Sequence, residues 1–322
     1  MRIGIIGQPC IDEIVAPDGS IQTRSLGGIL YSYAAMERLM RDLGPASGEH
    51  SFVGLTWMSV PDADIIEPLL SQFHHLDRSI GLWKTEALTN RVRLVYSSAH
   101  ERIEHCPNVL PRLTGFQLTP LLVSSLDVLF INIISGYDVS LETLEFALTH
   151  AERRPYVHLD IHALVLGPLS SATPQIDTFG EGRKPRGVRK WKRWLNLADS
   201  VQMNEFEARW LGNPEINSEE ALLAFVERRR DQLAAHDIII TRAERGASLY
   251  EVRSGEVHHA AAQANSNSDK SATPTGSGDV FGSAYVFALL NGSAPDAALE
   301  AAVRMASWNA TLSGIEEILS EP

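Results

Sequence analysis

Apolar residues along the chain follow two rhythms. Short, nearly continuous runs, IGIIG (3–7), VLFINII (128–134), YVHLDI (156–161), SVQMN (200–204) and DIIIT (237–241), read as strands buried on both faces. Between them lie stretches with helical spacing: GGILYSYAAMERLMRDLG (27–44), SLETLEFALTHAERR (140–154), NEFEARWLG (204–212) and SEEALLAFVERRRDQLAAH (218–236). Several open on Ser or Asn, residues that cap a helix start. Strand alternating with helix predicts an α/β protein with a mostly parallel, doubly wound sheet covered on both faces. Two segments alternate at period two instead, around residues 13–25 and 90–107. They predict an antiparallel excursion, either an edge hairpin or a small β lid over the carboxyl edge of the sheet, where ligands bind in open α/β folds.

Composition narrows the classes. With 322 residues and 44% hydrophobic content the chain can bury a large core. A formal charge of -12 argues against nucleic-acid binding, which needs an excess of Lys and Arg, and leaves small molecules as the expected partners. Cys10 and Cys106 are the only cysteines, too few for a disulfide framework, so a reducing, cytoplasmic setting is expected. The N-terminal run is broken by glycines and by Pro9, and no stretch approaches the roughly 18 apolar residues of a membrane span. One basic stretch interrupts the acidic chain, Arg183 to Arg193. It reads as a solvated face or a rim attracting an anionic substrate.

The segment TPTGSGDVFG (273–282) runs into the apolar SAYVFALL. Gly276 and Gly278 let consecutive backbone N–H groups converge, and the following helix adds its own unpaired N–H groups and positive dipole end, which together make an anion hole. Asp279 falls in the first helical turn, where the dipole is expected to hold it ionised. A carboxylate base beside an anion hole is what phosphoryl transfer to a hydroxyl requires. A dinucleotide fingerprint needs a strand directly before its glycines, whereas NSNSDKSATPT precedes these. The G-x-x-x-x-G-K-[ST] phosphate loop is absent from the chain.

The segment from Thr275 to Asp279 resembles the late D-T-x-G-A-G-D signature of the ribokinase-like (PfkB) carbohydrate kinases. Four further landmarks follow that family's order: Asp12 after the first strand, the paired Gly27 and Gly28 before a helix, Asn204 and Glu207 as an N-x-x-E element, and TRAERG (241–246) as a nucleotide turn. The resemblance implies a single ribokinase-like domain over 1–322, a three-layer α/β/α sandwich with lid strands from about 12–26 and 88–108. It implies an ATP-dependent phosphotransferase acting on a hydroxyl of a sugar or sugar-like molecule. Asp279 would accept the hydroxyl proton while Gly276, Ser277 and Gly278 stabilise the transferring phosphoryl. Asn204, Thr241, Gly246, Thr275 and Ser307 would line the nucleotide, Glu207 with Asn204 would order Mg²⁺, and Asp12, Gly27, Gly28 and Ser32 would meet the substrate. A homodimer through the lid is left open.

The chain departs from that pattern at Thr273, Ala243 and Ser32, positions where the family has Asp, Gly and Asn. Two alternatives therefore stand beside the sugar kinase: a nucleoside kinase of the same fold, and a non-catalytic sugar-binding or regulatory homologue. A nicotinamide-dependent oxidoreductase is a more distant reading. His158, Asp160 and His162 alternate along a predicted strand and would share one face. That spacing could ligate a metal, but Asp160 and His162 fit better at the phosphate or substrate end of the cleft.

Overall fold

The chain enters the core at once: β1 (Arg2–Ile6) pairs in parallel with β4 (Ser51–Ser59) on one side and β8 (Val128–Asn132) on the other. Parallel pairing continues outward through β5 (Leu82–Thr85) beyond β4, and through β9 (Tyr156–Asp160), β10 (Ser200–Asn204) and β11 (Asp237–Thr241) beyond β8. Two antiparallel strands, β12 (Ala247–Glu251) and β13 (Val257–Ala260), finish that edge. The order is β13-β12-β11-β10-β9-β8-β1-β4-β5, so the direction of winding reverses at the β1/β8 pair. The computed structural model describes residues 1–15, 21–44, 50–96, 102–106, 108–166, 187–211, 224, 226–228, 230–263 and 275–320.

Alternation along each strand divides the core in two. In β8, Val128 and Phe130 pack to one side while Leu129 and Ile131 pack to the other. On the first side lie α1 (Leu30–Asp42), α2 (Ala63–Leu70), α7 (Ser277–Leu290), α8 (Pro295–Asn309) and α9 (Ile315–Leu319). On the second lie α3 (Pro120–Ser124), α4 (Leu141–Thr149), α5 (Trp191–Leu195) and α6 (Glu205–Leu211). The predicted α/β/α layering is therefore present. Helix α7 is buried along most of its length, from Val280 to Phe287, as a helix apolar on all sides must be.

The two period-two segments form a separate four-stranded sheet in the order β3-β2-β6-β7, from β2 (Pro9–Val15), β3 (Ile21–Gly28), β6 (Asn90–Tyr96) and β7 (Arg102–His105). The excursion is not wholly antiparallel. Hairpins β2/β3 and β6/β7 are antiparallel, but they join through a parallel β2/β6 pair running from Cys10↔Asn90 to Val15↔Val95. Period two reports which residues share a face and is silent on strand direction. At the base of this sheet Asp62 accepts from the Thr89 N–H at 2.8 Å and from Arg91 at 2.7 Å, tying α2 to β6.

The helix pattern at 140–154 is realised over Leu141–Thr149, capped by Ser140, whose side chain accepts from the Thr143 N–H. Most of the pattern at 218–236 lies outside the described residues, as do Arg183, Lys184 and Arg186 of the basic stretch. Within the described part of that stretch, Lys190 pairs with Glu142 at 2.8 Å and Arg193 pairs with Glu145, both on α4. No helix among the described residues is long and apolar enough to cross a membrane.

Candidate active site

Gly276 adopts φ +78°, a left-handed conformation, and α7 starts at the next residue. A Cβ at Gly276 would also lie 2.3 Å from the Tyr31 ring, so both the turn and the contact require glycine. The N–H groups of the first helical turn have no intrahelical acceptor, and residues Thr275 to Asp279 line a cavity of about 930 Å³. Thr273 and Pro274 lie outside the described residues.

Three amide side chains hold this turn. Asn309 Nδ2 donates to the Thr275 carbonyl at 3.2 Å and to Ser277 Oγ at 3.1 Å. Gln202 Nε2 donates to the Gly278 carbonyl and to Asp160 Oδ2, each at 2.9 Å. Asn132 Nδ2 donates to Asp279 Oδ1 at 2.5 Å and to Ser32 Oγ at 3.2 Å. Sheet register explains the grouping, because Asn132 pairs with Asp160 and Asp160 with Gln202 across three adjacent strands. None of the three amides is among the residues that the sequence motifs single out. The available signal was an uncharged amide inside an apolar run, VLFIN and SVQMN, which once buried must find a partner.

Asn204 and Glu207 form a reciprocal cap at the start of α6. Glu207 N–H donates to Asn204 Oδ1 at 2.8 Å, while Asn204 donates from its backbone N–H to Glu207 Oε2 and from Nδ2 to Oε1, both at 2.7 Å. This is a capping box with Asn in the cap position. Its carboxylate also lies 3.4 Å from His162 Nδ1. The strand β9 ends at Asp160, and His162 begins a 3₁₀ turn, so His158, Asp160 and His162 do not share a strand face as expected. His158 is instead buried beneath the cavity floor, against Ser200 Oγ at 2.7 Å and Gln202 Oε1 at 3.3 Å.

Charge in the cavity is unbalanced. Among the described lining residues His162 is the one side chain that can be cationic, against Asp12, Asp160, Glu207, Glu244 and Asp279. Burial disfavours a charged imidazole, but Glu207, Asp160 and Asp279 outweigh it and raise the His162 pKa to about 9. Burial and the neighbouring Glu207 push Asp160 well above the ordinary carboxyl range. Burial also raises Asp279, against the opposing pull of His162 and Asn132. The helix dipole was expected to keep Asp279 ionised; here desolvation outweighs it and makes the carboxylate a stronger base.

At the lid end the cavity meets Asp12, Gly28, Tyr31, Val92 and Ile134. Gly27 lies behind Asp12, where a Cβ would fall 2.0 Å from Asp12 Oδ2. Its lack of a side chain is what lets that carboxylate fold against β3. Ser32 is fully buried and reaches the site through Asn132. At the other end lie Thr241, Gly246 and Ser307, with Val303, Ala306 and Ala310 supplying an apolar wall. Ala243, standing where a glycine was expected, has φ +48°, a conformation that costs a non-glycine residue about 1–2 kcal/mol. Tyr31, at the meeting of the lid end and the glycine turn, carried no signal in the sequence.

An open parallel sheet with a lidded cleft at its carboxyl edge defines a ribokinase-type fold, and comparison with known proteins agrees. The model of the pfkB family of carbohydrate kinases matches residues 173–321, so the resemblance read from the sequence is borne out over that stretch. Similar solved structures extend over the whole chain. A pyrophosphate-dependent kinase of the ribokinase family, solved with sulfate, superposes with a TM-score of 0.72 at 16% identity, covering 98% of this chain and 96% of its own. Arabidopsis thaliana ribokinase complexed with ribose and ATP gives 0.67 at 12% identity, with 100% and 99% covered. Burkholderia thailandensis nucleoside kinase in complex with inosine gives 0.65 at 15%, with 98% and 92% covered. No curated protein matches the sequence.

Proposed function

We propose that the protein is an ATP-dependent phosphotransferase that phosphorylates a hydroxyl of a sugar or sugar-like small molecule. One observation carries the reading: Asp279, held by Asn132, stands at the start of the helix behind a glycine turn, and the turn and the carboxylate line the same cavity. The acceptor would sit under the lid with Asp12 accepting its hydroxyls, and ATP would extend past Thr241 and Gly246 with its base on the Val303, Ala306 and Ala310 wall. As the acceptor oxygen forms its bond to the γ-phosphorus, its proton passes to Asp279 and the bond from phosphorus to the β–γ bridging oxygen breaks, releasing ADP. The N–H groups of Gly276, Ser277 and Gly278 take the charge that develops on the transferring group.

The donor set suits Mg²⁺ held through its water shell. Glu207 Oε2 keeps a spare lone pair after accepting from the Asn204 N–H, while Oε1 faces both Asn204 and His162, and Asp160 lines the same cavity. Mg²⁺ would neutralise phosphate charge there. A nucleoside acceptor is a second reading, favoured by Val92 and Ile134 at the lid end, which offer a base an apolar face. The test is ATP-dependent phosphate transfer over a panel of sugars, inositols and nucleosides, with Asp279→Asn as control. Transfer to one class, lost about 10²–10⁴-fold in the variant, is the expected result. Binding of a panel member without any transfer would sink the catalytic reading and leave a sugar-binding homologue.

A further inference from the structure

Gln202 lies in the middle of β10 and is buried, at 2% exposure. Its proton arrangement follows from its partners. The Gly278 carbonyl can only accept, so the amide nitrogen must face it, and the same nitrogen gives its second hydrogen to Asp160. Oε1 is then left toward His158 Nε2, which must donate. The other ring nitrogen of His158 accordingly accepts from the Ser200 hydroxyl. Burial pulls the His158 pKa down to about 4, in keeping with a neutral ring carrying one N–H. A single ordered chain of donors thus runs from Ser200 through His158 and Gln202 to the Gly278 carbonyl.

That carbonyl belongs to the peptide plane whose other edge is the Asp279 N–H, and the carboxylate of the same residue accepts from Asn132. Fixing the carbonyl therefore fixes the direction of that N–H and the backbone from which the carboxylate projects. We propose that Gln202 is a positioning residue for phosphoryl transfer, holding the anion-hole turn and the Asp279 carboxylate in one relative geometry before either substrate arrives. The inference rests on the kinase reading above. Because Gln202 acts through Gly278 and Asp279, its loss is felt in the transition state more than in substrate binding.

The experiment compares steady-state kinetics of wild type and Gln202→Met, which keeps the side-chain length and removes the N–H donors. The expected result is a kcat lower by about 10- to 100-fold, with KM for ATP and acceptor unchanged. Gln202→Met also removes the donor to Asp160 Oδ2, whereas His158→Phe leaves that bond in place. His158→Phe, which preserves buried volume and removes the N–H reaching Gln202, is expected to give the same split in smaller measure and covers the case in which Gln202→Met folds poorly. Equal kcat per folded molecule in wild type and both variants overturns the inference alone. Absence of transfer by wild type on the full panel overturns the kinase reading and the inference together.

Discussion

Asn132 Nδ2 lies 2.5 Å from Asp279 Oδ1, joining the end of β8 to the first turn of α7 across 147 residues. The bond favours the ionised carboxylate and opposes the rise that burial imposes. Replacing Asn132 with Leu removes that support, so the Asp279 pKa rises further. The acid limb of the kcat profile then moves to higher pH, and kcat at neutral pH falls about tenfold or more. Rate measurements from acid to neutral pH on wild type and Asn132→Leu check this.

His162 gives a stability signal of opposite sense. Its pKa is raised to about 9 by three carboxylates, so its contribution is present in full below about pH 6.5, the ordinary imidazole value, and is lost as pH rises through about 9. Urea midpoints are expected to fall across that window in wild type and to stay flat in His162→Gln. A slope that persists in the variant would assign the effect to another group. Its side chain is 39% exposed, which limits the size of the effect through solvent screening.

Glu37 anchors the back of α1. Its side chain is fully buried and accepts from Arg41 Nε at 2.8 Å and from the His75 backbone N–H at 2.9 Å. Burial alone would raise its pKa, but the His75 and His74 backbone groups and Arg41 hold it below the usual 4.5. Glu37→Ala is expected to cost about 3 kcal/mol, read as a lower urea midpoint at pH 7. Because the folded pKa is depressed, this contribution exists above about 4.5 and fades as pH falls through the folded value, so wild type and variant converge in acid.

Gly276→Ala tests the glycine turn. The left-handed φ costs about 1–2 kcal/mol, and the new methyl meets the Tyr31 ring at 2.3 Å. Tyr31→Ala in the same chain removes the second cost and leaves the first. Tyr31→Ala also opens a cavity in the core, where Tyr31 is 4% exposed, so the double variant is expected to lose less stability than the sum of the two single variants while transfer remains impaired, since the turn itself is still strained.

Local pattern was enough to place β8 to β11, the glycine turn and the capping pair, since each is written in consecutive residues. What escaped the sequence is long-range. Gln202 and Gly278 are 76 residues apart, and Ser32 and Asn132 are 100 apart, so no spacing rule links them. Ser32 was expected at the substrate and instead stands behind Asn132. The ionisation of Asp279 escapes the sequence for a related reason. Helix position is readable from sequence, whereas depth of burial depends on what the lid, β8 and α6 place around it.

The parallel β2/β6 pair has a consequence for how the protein is made. Cys10 and Asn90, its first partners, are separated by 80 residues, and α1, β4, α2 and β5 all lie between them. Closing so long a loop for a few strand contacts is entropically unfavourable until the intervening elements have folded. The lid is therefore expected to form late in folding: a ribosome-bound chain ending before residue 90 can form the β2/β3 hairpin but lacks the strand that pairs with its other edge, and the acceptor end proposed at Asp12 stays incomplete until β6 is made.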